Sequence, residues 1–514
     1  MEDKTLFAAV SLSILLVLLS KLKSFLPTKP KLNLPPGPWT LPVIGSLHHL
    51  VTSPNIYRAM RTLAKKHGPL MTLRLGEVQA MVVSSSPEAA REVTKTHDIQ
   101  FADRYVNPTL SALTFDGNDI AFAPYGERWR ELRKICVLEL LSTARVLSFR
   151  RIREEEVSLF VGKVAASAGN GAAVNLSKMI CGFIGDLFVK ESVGSECKYR
   201  DEYQDSIAMA FRQTSVLTLA DLFPSSRLMQ VLGTAPRKVL ACRNRMQRIL
   251  EQIIEEKAED IDGGDRAAAA GNEDFVGVLL RLQKERSTLI PLTNDTIVAV
   301  LFDMFAAGSE TSSNTLNWCM TELVRSPAVM AKAQAEVRET LKGKKTMTEN
   351  DLEGLTYLKL VIKEALRLHA PVPLLVPRMC RETCQVMGYD VPKGMAVFIN
   401  TWAICRDEKY WDNPEEFKPE RFQDINLDYK GTNYEFIPFG AGRRSCPGIN
   451  LGVGNIELAL ASLLYHFDWK LPDGIEPEDV DVCEDSGLIA CKKTDLILHP
   501  VIRVPPANSS VLCT

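Results

Sequence analysis

The sequence predicts one large, mainly α domain with a smaller β-rich portion, and three observations carry that expectation. Helical periodicity with dense charge runs through residues 151–164 and 236–257, and a proline-free helical pattern extends from Thr293 to about Arg325. At 1.5 Å per residue this last stretch is roughly 50 Å of helix, long enough to cross the whole domain. Strand signals are few: the β-prone runs 70–75 and 78–83 flank Gly76-Glu77 as a hairpin. The Gly/Ala-rich stretches 165–173 and 262–272 read as exposed loops between helices, and no internal repeat divides the chain.

At 514 residues the chain can bury a large core. Its 61 Lys+Arg against 63 Asp+Glu give a net charge of −2, so the basic footprint of a nucleic-acid binder is missing. Twelve cysteines are scattered without Cys-x-x-Cys pairs, which points away from a disulfide framework and from a structural zinc site. Residues 5–20 are almost wholly apolar; with Lys21 and Lys23 snorkelling, residues 1–26 can span a thin bilayer as a transmembrane anchor. Positive charge behind the anchor, at Lys21, Lys23, Lys29 and Lys31, predicts a single pass with the bulk of the protein cytosolic. A basic, Pro-rich hinge follows at 27–38, then the main domain at 39–504 and a tail at 505–514 expected to be disordered.

Within the main domain, Ser86-Pro87-Glu88 supplies an N-cap, a first-turn proline and a first-turn acid for a helix to about His97. Residues 106–123 have few polar anchors and read as an irregular loop over a cavity. Residues 128–134 open a helix in which Trp129 and Arg133 stand four apart on one face, an arrangement that suits a carboxylate. On the long helix, Ala306-Ala307-Gly308-Ser309-Glu310-Thr311-Ser312 is a poor choice for a structural mid-helix turn, because glycine costs about 1 kcal/mol there and hydroxyls compete for backbone carbonyls. Close helix packing accounts for such residues; so does a local loosening of the helix that opens a groove for a small ligand.

The most distinctive stretch is Pro438-Phe439-Gly440-Ala441-Gly442-Arg443-Arg444-Ser445-Cys446-Pro447-Gly448, followed by an apolar helix pattern over 449–467. Glycine-permitted turns can aim N–H groups at the sulfur and the helix N-terminus lies behind it, so Cys446 is expected to stay ionised. Phe439-x-x-Gly442-x-Arg444-x-Cys446-x-Gly448 resembles the haem-ligating signature of the cytochrome P450 family, and Ala307 to Ser312 is similar to that family's oxygen-activation motif, with Glu310 where many members have Asp.

The resemblance runs from the anchor to about Val501 and implies the cytochrome P450 fold, with haem b held by Cys446 as axial thiolate and metal ligand. Phe439, Gly448, Trp129, Arg133, Arg378 and Arg444 fall at cofactor-binding positions, the last four where haem propionates are held. Thr311 and Glu310 take the proton-delivery role. Glu364 and Arg367, three apart on one helix face, are joined by Arg421 in a structural cluster that braces the cysteine loop. Substrate contact is implied around Phe115, Phe302, Ala306, Ala307, Leu374, Leu375 and Leu488, almost all apolar, so a hydrophobic small molecule is expected. With no nucleotide-binding signature in the chain, NADPH is implied only through a separate reductase, which the basic residues Arg128, Arg130, Lys134 and Arg443 could steer.

Within the family the chain resembles the plant microsomal branch, and there the grass terpenoid oxygenases, on the evidence of 32–38, 133–142, 405–407 and 465–472; Ala370 departs from a Pro-Pro pair common in relatives. A monooxygenase of a sesquiterpenoid or diterpenoid at the endoplasmic reticulum membrane is implied, with multi-step oxidation at one carbon open. The alternatives are another specialised metabolite (indole, phenolic or fatty acid derivative), a haem-thiolate isomerase or dehydratase, and a non-catalytic haem or lipid binder.

Overall fold

The computed structural model describes residues 32–506, excluding 116, 169–170, 195–198, 215–217, 263–272, 345, 426 and 486. The anchor and most of the hinge lie outside the described residues, as does the tail from 507 onward. Among the described residues no helix is long and apolar enough to cross a membrane.

The elements that build the site are, in chain order, α1 (Ile56–His67), β1 (Leu70–Leu75), β2 (Val78–Ser84), α2 (Pro87–Arg91), β3 (Asp103–Arg104), α3 (Pro108–Leu113), α4 (Glu127–Ile135), α5 (Arg150–Ala168), α6 (Leu176–Val193), α7 (Ala235–Asp262), α8 (Asn294–Arg325), α9 (Thr356–Leu368), β4 (Arg378–Met379), β5 (Ala396–Asn400) and α10 (Ile449–His466). The expected hairpin is there, with Leu70 opposite Val83 and Leu75 opposite Val78. It belongs to a five-stranded sheet of order β1-β2-β5-β4-β3, in which β2 and β5 run parallel and the other neighbours antiparallel. Its outermost pairing sets Arg104 directly opposite Arg378.

Helix α8 is the axis of the helical part. The Thr293 hydroxyl accepts from Thr296 N at its start, and the helix continues for 32 residues. Leu301, Phe302 and Phe305 of α8 share one apolar core with Ile184, Leu187 and Phe188 of α6 and Leu460 and Leu463 of α10. The charged periodic stretches 151–164 and 236–257 lie inside α5 and α7.

Two local expectations are corrected. The segment 106–123 contains helix α3, which the Asn107 side chain caps by accepting from Leu110 N and which Pro108 starts; an Asn-Pro pair is a helix-start signal in its own right. No loosening of α8 occurs at 306–312, where the helix is continuous. The hydroxyls there donate back to the preceding turn, Ser309 to Phe305 O (2.7 Å) and Thr311 to Ala307 O (2.6 Å), which spares the backbone ladder. Close helix packing is what the glycine serves: the Phe188 ring of α6 lies against Gly308, where a Cβ would come within 2.2 Å of it.

Candidate active site

Thr94 and Asp98 fix the cysteine loop from one side. Gly442 has φ +72°, and a Cβ there would sit 2.0 Å from Thr94 O, so the close approach requires glycine. Asp98 accepts from Arg443 N and pairs with the Arg443 guanidinium at 3.2 Å. The loop then turns back on itself: Cys446 N donates to Phe439 O (2.9 Å), and Arg133 donates to Ser445 O (2.6 Å). Helix α10 begins at Ile449, directly behind the cysteine.

The Cys446 side chain opens onto a cavity whose lining also includes Phe439, Gly448 and Pro371, together with Asp303, Ala307, Gly308, Thr311 and Ser312 from α8. Protein surrounds the sulfur at longer range, so burial raises the thiol's pKa, against the Gly448 N–H and the Arg133 charge that lower it. A metal ion ligated by this sulfur would hold it deprotonated.

Above the loop, Arg104, Arg133, Arg378 and Arg444 converge. The Arg444 guanidinium lies 4.3 Å from the Trp129 ring centre and donates to Ala102 O (2.7 Å), Ile120 O (3.2 Å) and Ala123 O. Arg378 donates to Ala441 O (2.8 Å), and the Trp129 indole N–H donates to Ile120 O (3.1 Å). Arg104 donates to Ala121 O (3.0 Å) and Val376 O (2.6 Å). These arginines thus have carbonyl partners.

Their charge remains unbalanced. Burial first, and then repulsion from Arg444, Arg378 and Arg133, hold Arg104 well below the usual guanidinium range. Burial and the Arg378 charge bring Arg444 down to about 10. The acids that face them are shared: Asp98 bridges Arg378 (3.5 Å) and Arg443, Asp103 pairs with Arg381 (3.2 Å), and Asp119, whose charge favours Arg104 and Arg444, accepts from Phe122 N and Ala123 N. Buried like charges set across a sheet pair are destabilising unless an anion joins them. Two carboxylates, such as haem carries, suit this cluster, so the residues present fit the cofactor.

Arg104 was not singled out from the sequence; only the β3–β4 register brings it beside Arg378. Asp303 was also missed. It accepts from Ile120 N (2.6 Å) and Ala121 N (3.0 Å), tying the loop to α8, and burial followed by Asp119 raises its pKa well above the carboxylate range.

Glu364 and Arg367 are fully buried and form a bidentate pair at 2.8 and 2.9 Å, and Arg421 joins Glu364 at 2.8 Å. Arg367 and Arg421 spend their other donors on the carbonyls of Cys405, Asp412, Asn413, Pro414 and Glu416. Support reaches the cysteine loop through rings: Trp411 and Phe422 pack on Phe436, Phe436 on Tyr429, and Tyr429 on Phe439 at 5.4 Å.

The substrate-facing expectations divide. Ala307 lines the cavity with Cys446, and the rings of Phe115 and Phe302 pack at 5.2 Å, with Phe302 and Ala306 buried in α8. Leu374, Leu375 and Leu488 are not part of that lining; Leu374 packs under the sheet and beside Tyr57 and Trp402. Glu310 likewise stands off the lining, and its charge falls on Cys181 of α6. Of the basic residues named for docking, Arg128 turns inward to Thr296 Oγ1 (2.9 Å), while Arg130, Lys134 and Arg443 each pair with a neighbouring acid.

A family model described as Cytochrome P450 matches residues 35–497. Dolabradiene monooxygenase of Zea mays is 64% identical over 511 residues, covering 99% of this chain and 100% of that protein. Zealexin A1 synthase of Zea mays is 63% identical with the same coverage, and ent-cassadiene hydroxylase of Oryza sativa subsp. japonica is 56% identical over 99% of both chains. The cysteine loop, the cavity it shares with α8 and these relatives lead to one conclusion: the chain belongs to the cytochrome P450 family, as a monooxygenase whose cofactor is haem on a cysteine thiolate.

Proposed function

We propose that this enzyme inserts one oxygen atom from O2 into a diterpene or sesquiterpene hydrocarbon. The observation that carries the reading is the single cavity with Cys446 on one wall and Ala307, Gly308 and Thr311 on another, bounded by apolar Leu141, Phe188 and Phe275. A hydrocarbon is held in such a site by shape. The names of the relatives, a dolabradiene monooxygenase and an ent-cassadiene hydroxylase among them, support the terpenoid class.

Haem bound through Cys446, with its propionates among Arg104, Arg133, Arg378, Arg444 and Trp129, supplies O2 activation. The Thr311 hydroxyl, now donating to Ala307 O, turns to hold a proton toward the cavity, and Glu310, off the lining on the Cys181 side, replenishes it. Thr311 in the lining favours oxygen chemistry over isomerisation or dehydration, which needs no proton delivery.

Electrons come from a separate NADPH-dependent reductase docking on the cysteine side, where Arg130, Lys134 and Arg443 are exposed. The location proposed is the endoplasmic reticulum membrane, single-pass, with the catalytic domain cytosolic. Exposed Trp39, Val43 and Ile44 support membrane contact, as do Leu228, Val231 and Leu232; the two groups are linked through the hairpin turn, where Gly76 N donates to Ile44 O and Glu77 N to Leu222 O.

Co-expression with a reductase and a panel of grass diterpene and sesquiterpene olefins, read by mass spectrometry, tests the reading. Mono-oxygenated products from a terpene, absent without the reductase, are expected. Turnover of indole, phenolic or fatty acid substrates with none of the terpenes would overturn the terpenoid assignment.

A further inference from the structure

Just after α9, the segment His369-Ala370-Pro371 joins a buried charge network to the cavity wall. His369 is 6% exposed and lies between two carboxylates from different parts of the chain, Glu322 of α8 (2.7 Å from Nε2) and Glu484 of the C-terminal loop (3.4 Å from Nδ1). Each carboxylate faces a different ring nitrogen. Its ring also stacks on Trp318 of α8 at 3.8 Å and 1°.

Trp318 and Asn314 donate to Ala490 O at 3.3 and 3.0 Å, and Ala490 N donates to Pro371 O at 2.8 Å. Pro371 lines the cavity together with Cys446 and Thr311. Glu484 is held in turn by the Tyr57 hydroxyl (2.7 Å) and by Arg58 (2.8 Å) of α1. Helix α8 and the C-terminal loop therefore meet at one imidazole two residues from Pro371, and α1 joins them through Glu484.

We propose that His369 is a positioning residue that sets the Pro371 wall, with Glu484 and Ala490, against α8, and so determines which substrates fit and which carbon is presented. The inference rests on the reading that this cavity receives the substrate. A side chain that only stabilised the fold would alter all ligands alike; one that positions a wall discriminates by ligand size.

The test uses the haem-loaded, full-length protein and two iron-binding azoles, imidazole and 4-phenylimidazole, so its outcome is independent of which metabolite is oxidised. His369→Phe keeps the stack on Trp318 and removes both hydrogen bonds; His369→Gln keeps one donor. The expected result is a normal CO-bound spectrum and imidazole affinity within about twofold, with 4-phenylimidazole weakened about tenfold in His369→Phe and by less in His369→Gln. Hydrogen exchange of a peptide spanning 483–492 should quicken in the same order. Equal loss of both azoles, no loss of either, or failure of both variants to load haem would each overturn the assignment.

Discussion

Two clusters of buried arginines flank the cysteine loop, and they are built on opposite principles. Around Glu364, each guanidinium meets a carboxylate or a row of carbonyls: Arg367 pairs bidentately with the acid, and Arg421 shares it. Around Arg444, four guanidinia meet carbonyls and one another; Asp98 is shared between Arg378 and Arg443, Asp103 pairs with Arg381, and Asp119 accepts from Phe122 N and Ala123 N. A matched cluster is finished in the protein alone and holds the fold. An unmatched cluster stores repulsion that an incoming dianion relieves, which is the signature of a binding site.

Breaking the matched cluster should have the largest effect. Glu364→Ala leaves two cations buried without a counter-charge and is expected to cost about 3–5 kcal/mol, seen as loss of soluble, haem-loaded protein; a normal yield would show that the cluster is not structural. Acid should strike another matched group, Glu484. Burial opposes its ionisation, yet His369, Arg406 and Arg58 bring its pKa from 4.5 down to about 2. Because the folded value is the lower one, this contribution is present above pH 4.5 and is lost as pH falls toward 2. It amounts to about 3 kcal/mol, and Glu484→Gln should flatten that part of the stability–pH curve in denaturant melts.

The unmatched cluster should respond differently. Arg378→Met removes a buried charge that Asp98 attracts and that Arg104 and Arg444 repel, so the melting point of the haem-free protein should change little, while haem transfers to an acceptor protein about tenfold faster. A large fall in haem-free stability would place Arg378 with the structural arginines. Thr311→Ala should change neither stability nor haem loading, and is expected to divert reducing equivalents to peroxide; unchanged coupling between NADPH use and product would remove Thr311 from proton delivery.

How much of this was legible follows from sequence distance. The cysteine loop, the small residues of α8, and Glu364 with Arg367 each carry their signal within a few consecutive residues, so local spacing displays them. The hairpin and the long helices follow from periodicity for the same reason. Arg104 was hidden because only strand pairing sets it against Arg378, and the role of His369 because Glu322 and Glu484 arrive from 47 residues before and 115 after it. Helix α3 was encoded by Asn107-Pro108 but masked by an otherwise featureless segment. The loosened helix failed as an expectation because the hydroxyls find carbonyls one turn back without breaking it, a geometry that composition does not reveal.

The most direct test is the absorbance of the reduced, CO-bound protein, recorded for the parent chain and for Cys446→Ala at equal protein concentration. The band of a thiolate-ligated haem in the parent and its loss in Cys446→Ala is the expected result. A thiolate band that survives in Cys446→Ala would contradict the site at its centre.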